Sequence, residues 1–299
     1  MTTQDIYLLT PELSLAVLAA LVLILDLTAL NKKALAAISL IGLAVPFAFA
    51  LTLIGRNETG FSSVLVVDDF SVLFKFIFLA IGALVILSSI DYVARWSKYQ
   101  GEYYGLVLLS IAGMMLMAGT NELITIYVAL ELTSISLYIL AGFIKDQKSS
   151  EAGLKYLLLG AVSSAVLLYG MALVFGLTGT TSLPEIAKAL GGTGGTNYEV
   201  LLLGTILMVA GFGFKIAAVP FHMWVPDVYE GAPTPVTAFL SVGSKAAGFA
   251  LILRVFYAAL GEPPLQWDWA MLFAILSAVT MTVGNVVALV QTNIKRMLG

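Results

Sequence analysis

Long apolar runs, repeated along the whole chain, constrain its fold more than any other feature. A helix that crosses a bilayer needs about 20 consecutive apolar residues. The 299-residue sequence offers about nine such runs: Leu13–Leu30, Ala34–Ile54, Phe70–Ile90, Tyr104–Ala118, Leu123–Ile144, Leu154–Leu177, Val200–Ala217 with its continuation, Val236–Ala259 and Ala270–Val290. Only 11% of the residues are charged, against roughly 25% in soluble domains. The predicted class is therefore an all-α polytopic membrane protein with about nine transmembrane helices. The N-terminus lacks the basic region of a cleaved signal peptide, so the first run is expected to be a true span.

Separators between the runs carry the charges and turn residues. The longest, Thr178–Asn197, contains the glycine tract Gly191–Gly195, a flexible linker by composition. Lys32, Lys33, Arg95, Lys98, Lys145, Lys148, Lys295 and Arg296 fall in odd-numbered loops, and Arg56 and Lys188 in even-numbered ones. That bias puts the odd loops in the cytoplasm and the N-terminus outside. Spans four to eight form a five-helix set whose fourth member is interrupted, the kind of unit transporters repeat with inverted topology.

The interruption lies in Gly211–Gly231. Pro220 and Pro226 forbid a continuous helix through it. Lys215 precedes the break and His222, the only histidine, lies within it. Glu131 occupies the middle of the fifth run, followed by Thr133, Ser134 and Ser136, and Lys245 occupies the middle of the eighth, between Ser244 and Gly248. Ionisable residues at membrane depth are expensive and face a partner or a water path. Glu131, Lys215 and Lys245 therefore suggest a row of exchangeable protons. The residues leave blander roles open: a packing ion pair for Glu131, snorkelling for Lys215, and capping or packing for His222. For Lys75, Asp26 and Arg254 a local pair or snorkelling is the stronger expectation. Trp224, Trp267 and Trp269 read as interface anchors, and Asp227 and Glu230 as ties for the segment after the break.

Several chemistries are excluded. With no cysteine and one histidine, thiolate metal sites, iron–sulfur clusters and multi-histidine centres are ruled out, and no metal ligand set is expected. No Walker-type loop is present, and a net charge of -3 gives no reason to expect nucleic acid. An ion gradient, or a redox partner, must supply the energy.

The stretch Phe221-His-Met-Trp224 followed by Pro226-Asp-Val-Tyr-Glu-Gly-Ala-Pro-Thr234 resembles the signature of the antiporter-like membrane subunits of proton-pumping NADH:quinone oxidoreductase, respiratory complex I, and within them the complex I subunit 2 (subunit N) family. Tyr127–Ser134, Ser244–Gly248 and Asn293–Leu298 match as well. The resemblance implies an antiporter-like fold with two inverted five-helix units. In it the position of Glu131 pairs with that of Lys215, and the position of Lys245 links the pair to a central hydrophilic axis; His222 is a further relay candidate. It implies an N-terminal three-helix segment at 1–102, a proton half-channel unit at 103–260 and the start of the second unit at 261–299. It also implies a subunit of an enzyme complex without a cofactor of its own, the complex using NADH, FMN, iron–sulfur clusters and quinone. Partners would be the other membrane subunits and the lipid bilayer, in the bacterial inner membrane. The family runs on past this length, so the chain is expected to be incomplete. An Mrp-type cation/proton antiporter is the alternative.

Overall fold

The structure, a computed structural model, describes residues 2–28, 32–96, 99–191, 197–261 and 265–298. Helices follow one another in chain order: α1 Thr3–Leu8, α2 Thr10–Asp26, α3 Lys32–Gly42, α4 Ala44–Thr52, α5 Asp69–Trp96, α6 Gln100–Ala118, α7 Leu123–Ala141, α8 Gln147–Thr178, α9 Leu183–Gly191, α10 Tyr198–Ile216, α11 Val225–Gly231, α12 Thr234–Phe239, α13 Lys245–Ala258, α14 Leu265–Leu289 and α15 Ile294–Met297. A wide π-helical turn, Leu240–Ser244, joins α12 to α13. Among the described residues, eight helices are long and apolar enough to cross a membrane. Of the nine expected spans the first falls short: α2 has 17 residues. The second is α3 and α4 in succession, interrupted at Leu43.

Two short features were not expected: a β-hairpin, which departs from the all-α plan, and an extra helix. Strands β1 Glu58–Gly60 and β2 Leu65–Val67 pair antiparallel between α4 and α5. Their backbone joins the α6–α7 turn, Val66 N–H donating to Gly119 O at 2.8 Å and Asn121 N–H to Val64 O at 2.9 Å. Helix α9 lies in the expected linker, and the glycine tract lies outside the described residues from 192 onward.

Helix starts are fixed by side-chain caps. Glu122 accepts from Ile124 N–H and Thr125 N–H, Asp146 from Ser149 N–H, and Asn197 from Val200 N–H, which satisfies the free amides that open a helix. At 32 residues, α8 is about 48 Å long, well beyond a hydrocarbon core of about 30 Å. It packs along α7 and α10. A Cβ on Gly170 of α8 would meet Gly204 O of α10 at 2.7 Å, so the two backbones touch as small residues in membrane helices allow.

Candidate functional site

Helix α7 places Glu131 and Ser134 three residues apart, hence on one face. The Ser164 hydroxyl of α8 donates to Glu131 Oε1. Lys215, 3% exposed, sits in the last turn of α10 and donates to Ser134 Oγ at 2.7 Å. Ser134 in turn donates to Leu130 O at 2.6 Å. Among the described residues no ion pair within 4.0 Å joins Glu131 to Lys215. Each charged end meets a serine hydroxyl instead, Glu131 that of Ser164 and Lys215 that of Ser134.

Helix α10 stops at Ile216 because Ala217 takes a left-handed conformation, with φ 59°. Three of the carbonyls freed by this ending find a donor. Gly213 O takes Ala218 N–H at 2.8 Å, Phe214 O takes the Trp224 indole N–H at 3.2 Å, and Lys215 O takes Lys245 Nζ at 3.5 Å. Carbonyl ends of helices attract cations. Here the cation that answers is Lys245, from the neighbouring helix, while the Lys215 side chain turns to α7. The connecting turn is held by α14, whose Thr280 Oγ1 accepts from Val219 N–H at 3.0 Å.

Trp224 corrects the sequence reading. It is buried, not an interface anchor. Its ring stacks on Tyr156 of α8 at 4.4 Å and 11°, and Lys245 Nζ stands 4.5 Å from its centroid, a cation–π distance. Tyr229 lies 6.0 Å from the same ammonium. Beside Trp224 an apolar cavity of about 270 Å³ is lined by Leu159, Ser163, Gly211 and Phe221. Trp269 is buried too, its indole N–H donating to Leu260 O, while Trp267 is exposed as expected. His222 lies in the turn, its Nδ1 buried without a hydrogen-bond partner. Among the described residues no hydrogen bond joins its ring to Glu131, Lys215 or Lys245. No group of three or more metal-ligating side chains occurs among the described residues.

Sequence reasoning missed Ser164, Tyr156 and the burial of Trp224. The signal available was the polar interruption Ser163-Ser164 in an otherwise apolar run. The expected local pairs do form: Arg254 binds Asp68 through two hydrogen bonds of 2.6 and 2.9 Å, and Lys75 binds Glu12.

Charge also fastens the segment after the break. Asp227 meets Lys155 at 2.6 Å and Arg296 at 2.9 Å, and Glu230 meets Lys148 and Arg296 at 3.0 Å each. Lys295 Nζ caps α11 through Glu230 O and Ala232 O. The Lys155 hydrogen bond holds the Asp227 carboxyl below its usual 3.8, and the Arg296 hydrogen bond holds Glu230 below its usual 4.5. Carboxyls depressed in the folded state contribute stability above their unfolded values and lose it as pH falls through the folded ones. Docking of α15 on α11 is therefore expected to be complete at neutral pH and to weaken below about pH 4. Hydrogen exchange of the 294–297 amides, corrected for intrinsic rates, checks this; protection unchanged on going to acid would contradict it.

Residues 120–299 match the family model described as NADH:quinone oxidoreductase/Mrp antiporter, transmembrane. The chain is 46% identical to NADH-quinone oxidoreductase subunit N of Dehalococcoides mccartyi, over 98% of its own length and 62% of the relative's. It is 50% identical to the subunit of the same name from Trichlorobacter lovleyi, over 99% and 61%. It thus spans about three-fifths of the curated relatives it matches. A chain of respiratory complex I from Thermus thermophilus, solved with bound aureothin, superposes with a TM-score of 0.79 at 35% identity, covering 96% of this chain and 60% of that one. A chain of the archaeal membrane-bound sulfane sulfur reductase superposes with a TM-score of 0.84 at 23% identity, covering 99% and 62%, a likeness of fold alone.

Proposed function

The chain belongs to the NADH:quinone oxidoreductase/Mrp antiporter transmembrane family, and from that premise we propose that it supplies a proton half-channel of subunit N in a proton-pumping NADH:quinone oxidoreductase. The observation that carries the proposal is the paired placement of two lysines at one helix end. Lys215 reaches the Glu131 helix through Ser134, and Lys245 binds the carbonyl of Lys215 itself. Glu131 and the Lys215 ammonium carry opposite charges and attract, whereas the two ammoniums of Lys215 and Lys245 repel. In a low-dielectric interior such repulsion is strong. A proton arriving at one lysine then favours departure from the other, and the row Glu131–Lys215–Lys245 passes charge along the membrane midplane. His222 stands beside the break as a further exchange group. The half-channel occupies 103–260, behind an N-terminal segment at 1–102 and before residues 261–299.

This reading gives the chain no cofactor. NADH, FMN, iron–sulfur clusters and quinone belong to other parts of the complex, which signal to this row electrostatically or through shape. The partners are the neighbouring membrane subunits and lipid, in a bacterial plasma membrane with the N-terminus outside. An Mrp-type cation/proton antiporter shares the family, but the curated relatives named above are quinone oxidoreductase subunits.

Lys215→Ala and Lys245→Ala in the assembled complex provide the test. Each is expected to lose most proton pumping while the complex still assembles. Pumping at the wild-type level in both variants would falsify the relay.

A further inference from the structure

The molecule buries a second lysine–carboxylate pair, outside the row. Glu12 on α2 and Lys75 on α5 form an ion pair in the N-terminal segment, with side chains 3% and 0% exposed. Pairing accounts for only part of their hydrogen-bonding capacity. Glu12 Oε2 is buried with no partner, and the only hydrogen bond that Lys75 Nζ makes among the described residues is to Glu12 Oε1. A carboxylate offers about four lone-pair sites and an ammonium three protons. A buried pair repays its desolvation only when its remaining valences are also filled, and here they are not.

The surroundings explain why the pair is held nonetheless. Lys75 Nζ lies 3.8 Å from where a Cβ on Gly119 would be, against the carbonyl end of α6. That end also binds Arg254, which donates to Ala118 O at 2.8 and 3.2 Å. Two cations, each with its own carboxylate, thus bracket the terminus of one helix: Lys75 with Glu12, and Arg254 with Asp68. They differ in chemistry. Arginine cannot release its proton in a protein, whereas lysine can. Helix α6 packs along α7, where Thr133 Oγ1 approaches Ser110 O at 3.5 Å two residues beyond Glu131. Helix α6 thus carries the pair at its carbonyl end and packs along the helix that bears Glu131.

We propose that Glu12 and Lys75 form a second proton-holding site, which stores and releases one proton in step with the Glu131–Lys215–Lys245 row. The inference rests on the half-channel reading. Transfer of one proton from the Lys75 ammonium to the Glu12 carboxylate turns the ion pair into a neutral acid and amine. Uptake of one more proton by the amine gives the acid–ammonium form, of net charge +1, and its release restores the ion pair. No bond other than O–H and N–H forms or breaks.

The test uses the assembled complex carrying Lys75→Arg, or the double change Glu12→Gln with Lys75→Met. The first keeps the charge but fixes the proton, and the second removes both charges together. In each, NADH oxidation is expected to persist while protons moved per NADH oxidised fall. Wild-type proton yield in either assembled variant overturns the proposal, because a merely structural pair tolerates both changes. Failure of both variants to assemble assigns the pair to folding and overturns it as well. Lys215→Ala measured alongside separates the two ideas: if it pumps like wild type, the half-channel reading fails, whatever Glu12 and Lys75 do.

Discussion

Trp224→Ala is expected to destabilise the folded chain by about 3–5 kcal/mol, the cost of deleting a large buried aromatic side chain. Three effects combine. The indole fills the space between Tyr156, Phe214 and Tyr229, and the neighbouring cavity of about 270 Å³ would merge with the void. The indole N–H is lost to Phe214 O, leaving a carbonyl of the α10 end without that donor. The ring that faces the Lys245 ammonium disappears, a contact worth about 0.5–2 kcal/mol depending on desolvation. Trp224→Phe separates these effects, since it keeps most of the packing and removes only the donor. Unfolding in detergent micelles should rank wild type above Trp224→Phe and both above Trp224→Ala. A Trp224→Phe midpoint equal to wild type would show that the hydrogen bond to Phe214 contributes nothing; equal midpoints for the two variants would show the same of the ring packing.

Arg254→Ala is the second large change. Arg254 ties α13 at once to the start of α5, through Asp68, and to the end of α6, through Ala118 O. Burial opposes ionisation of Asp68, but the hydrogen bonds and charge of Arg254, together with the hydrogen bonds of Ser71, outweigh it and hold the carboxyl below its usual 3.8. Removing the guanidinium leaves a half-buried carboxylate and a buried carbonyl together. Breaking a buried pair by deleting one partner costs about 3–5 kcal/mol. Asp68 retains a quarter of its exposure, which places the expected loss at about 3 kcal/mol. Replacing both partners, Arg254→Leu with Asp68→Leu, should recover most of it. A double variant no more stable than Arg254→Ala would mean that packing of the arginine stem, not the charge, fastens α13.

Most of the helical plan was legible because membrane spans announce themselves by length and apolarity. Predicted Val200–Ala217 is observed as Tyr198–Ile216, and predicted Ala270–Val290 as Leu265–Leu289. The first span was placed a few residues late: the sequence suggests Leu13–Leu30, whose last two residues lie outside the described ones, whereas the helix runs Thr10–Asp26. The hairpin at Glu58–Val67 was not legible: its strands have three residues each and take their stability from the α6–α7 turn. Glu131, Lys215 and Lys245 stood out as charges in apolar runs, yet composition could not tell which groups they touch. Tryptophan has both an apolar body and a polar tip, so Trp224 fits an interface or a core equally well, and only tertiary packing decides. Glu12 was unreadable for a similar reason: it sits near the chain start, where a carboxylate ordinarily meets water, and its burial depends on Lys75, 63 residues away in the chain.

The wide turn at Leu240–Ser244 carries one more consequence. A π-helical turn holds an extra residue, and one residue is about 100° of rotation in a regular helix. Everything after the turn is therefore out of phase with what precedes it. Before it, α12 lies against α5; after it, α13 lies against α6 and α10. Lys245 is the first residue beyond the offset. Its bearing on the α10 terminus is set by the winding of its own backbone, so a single span reads different neighbours at two different azimuths.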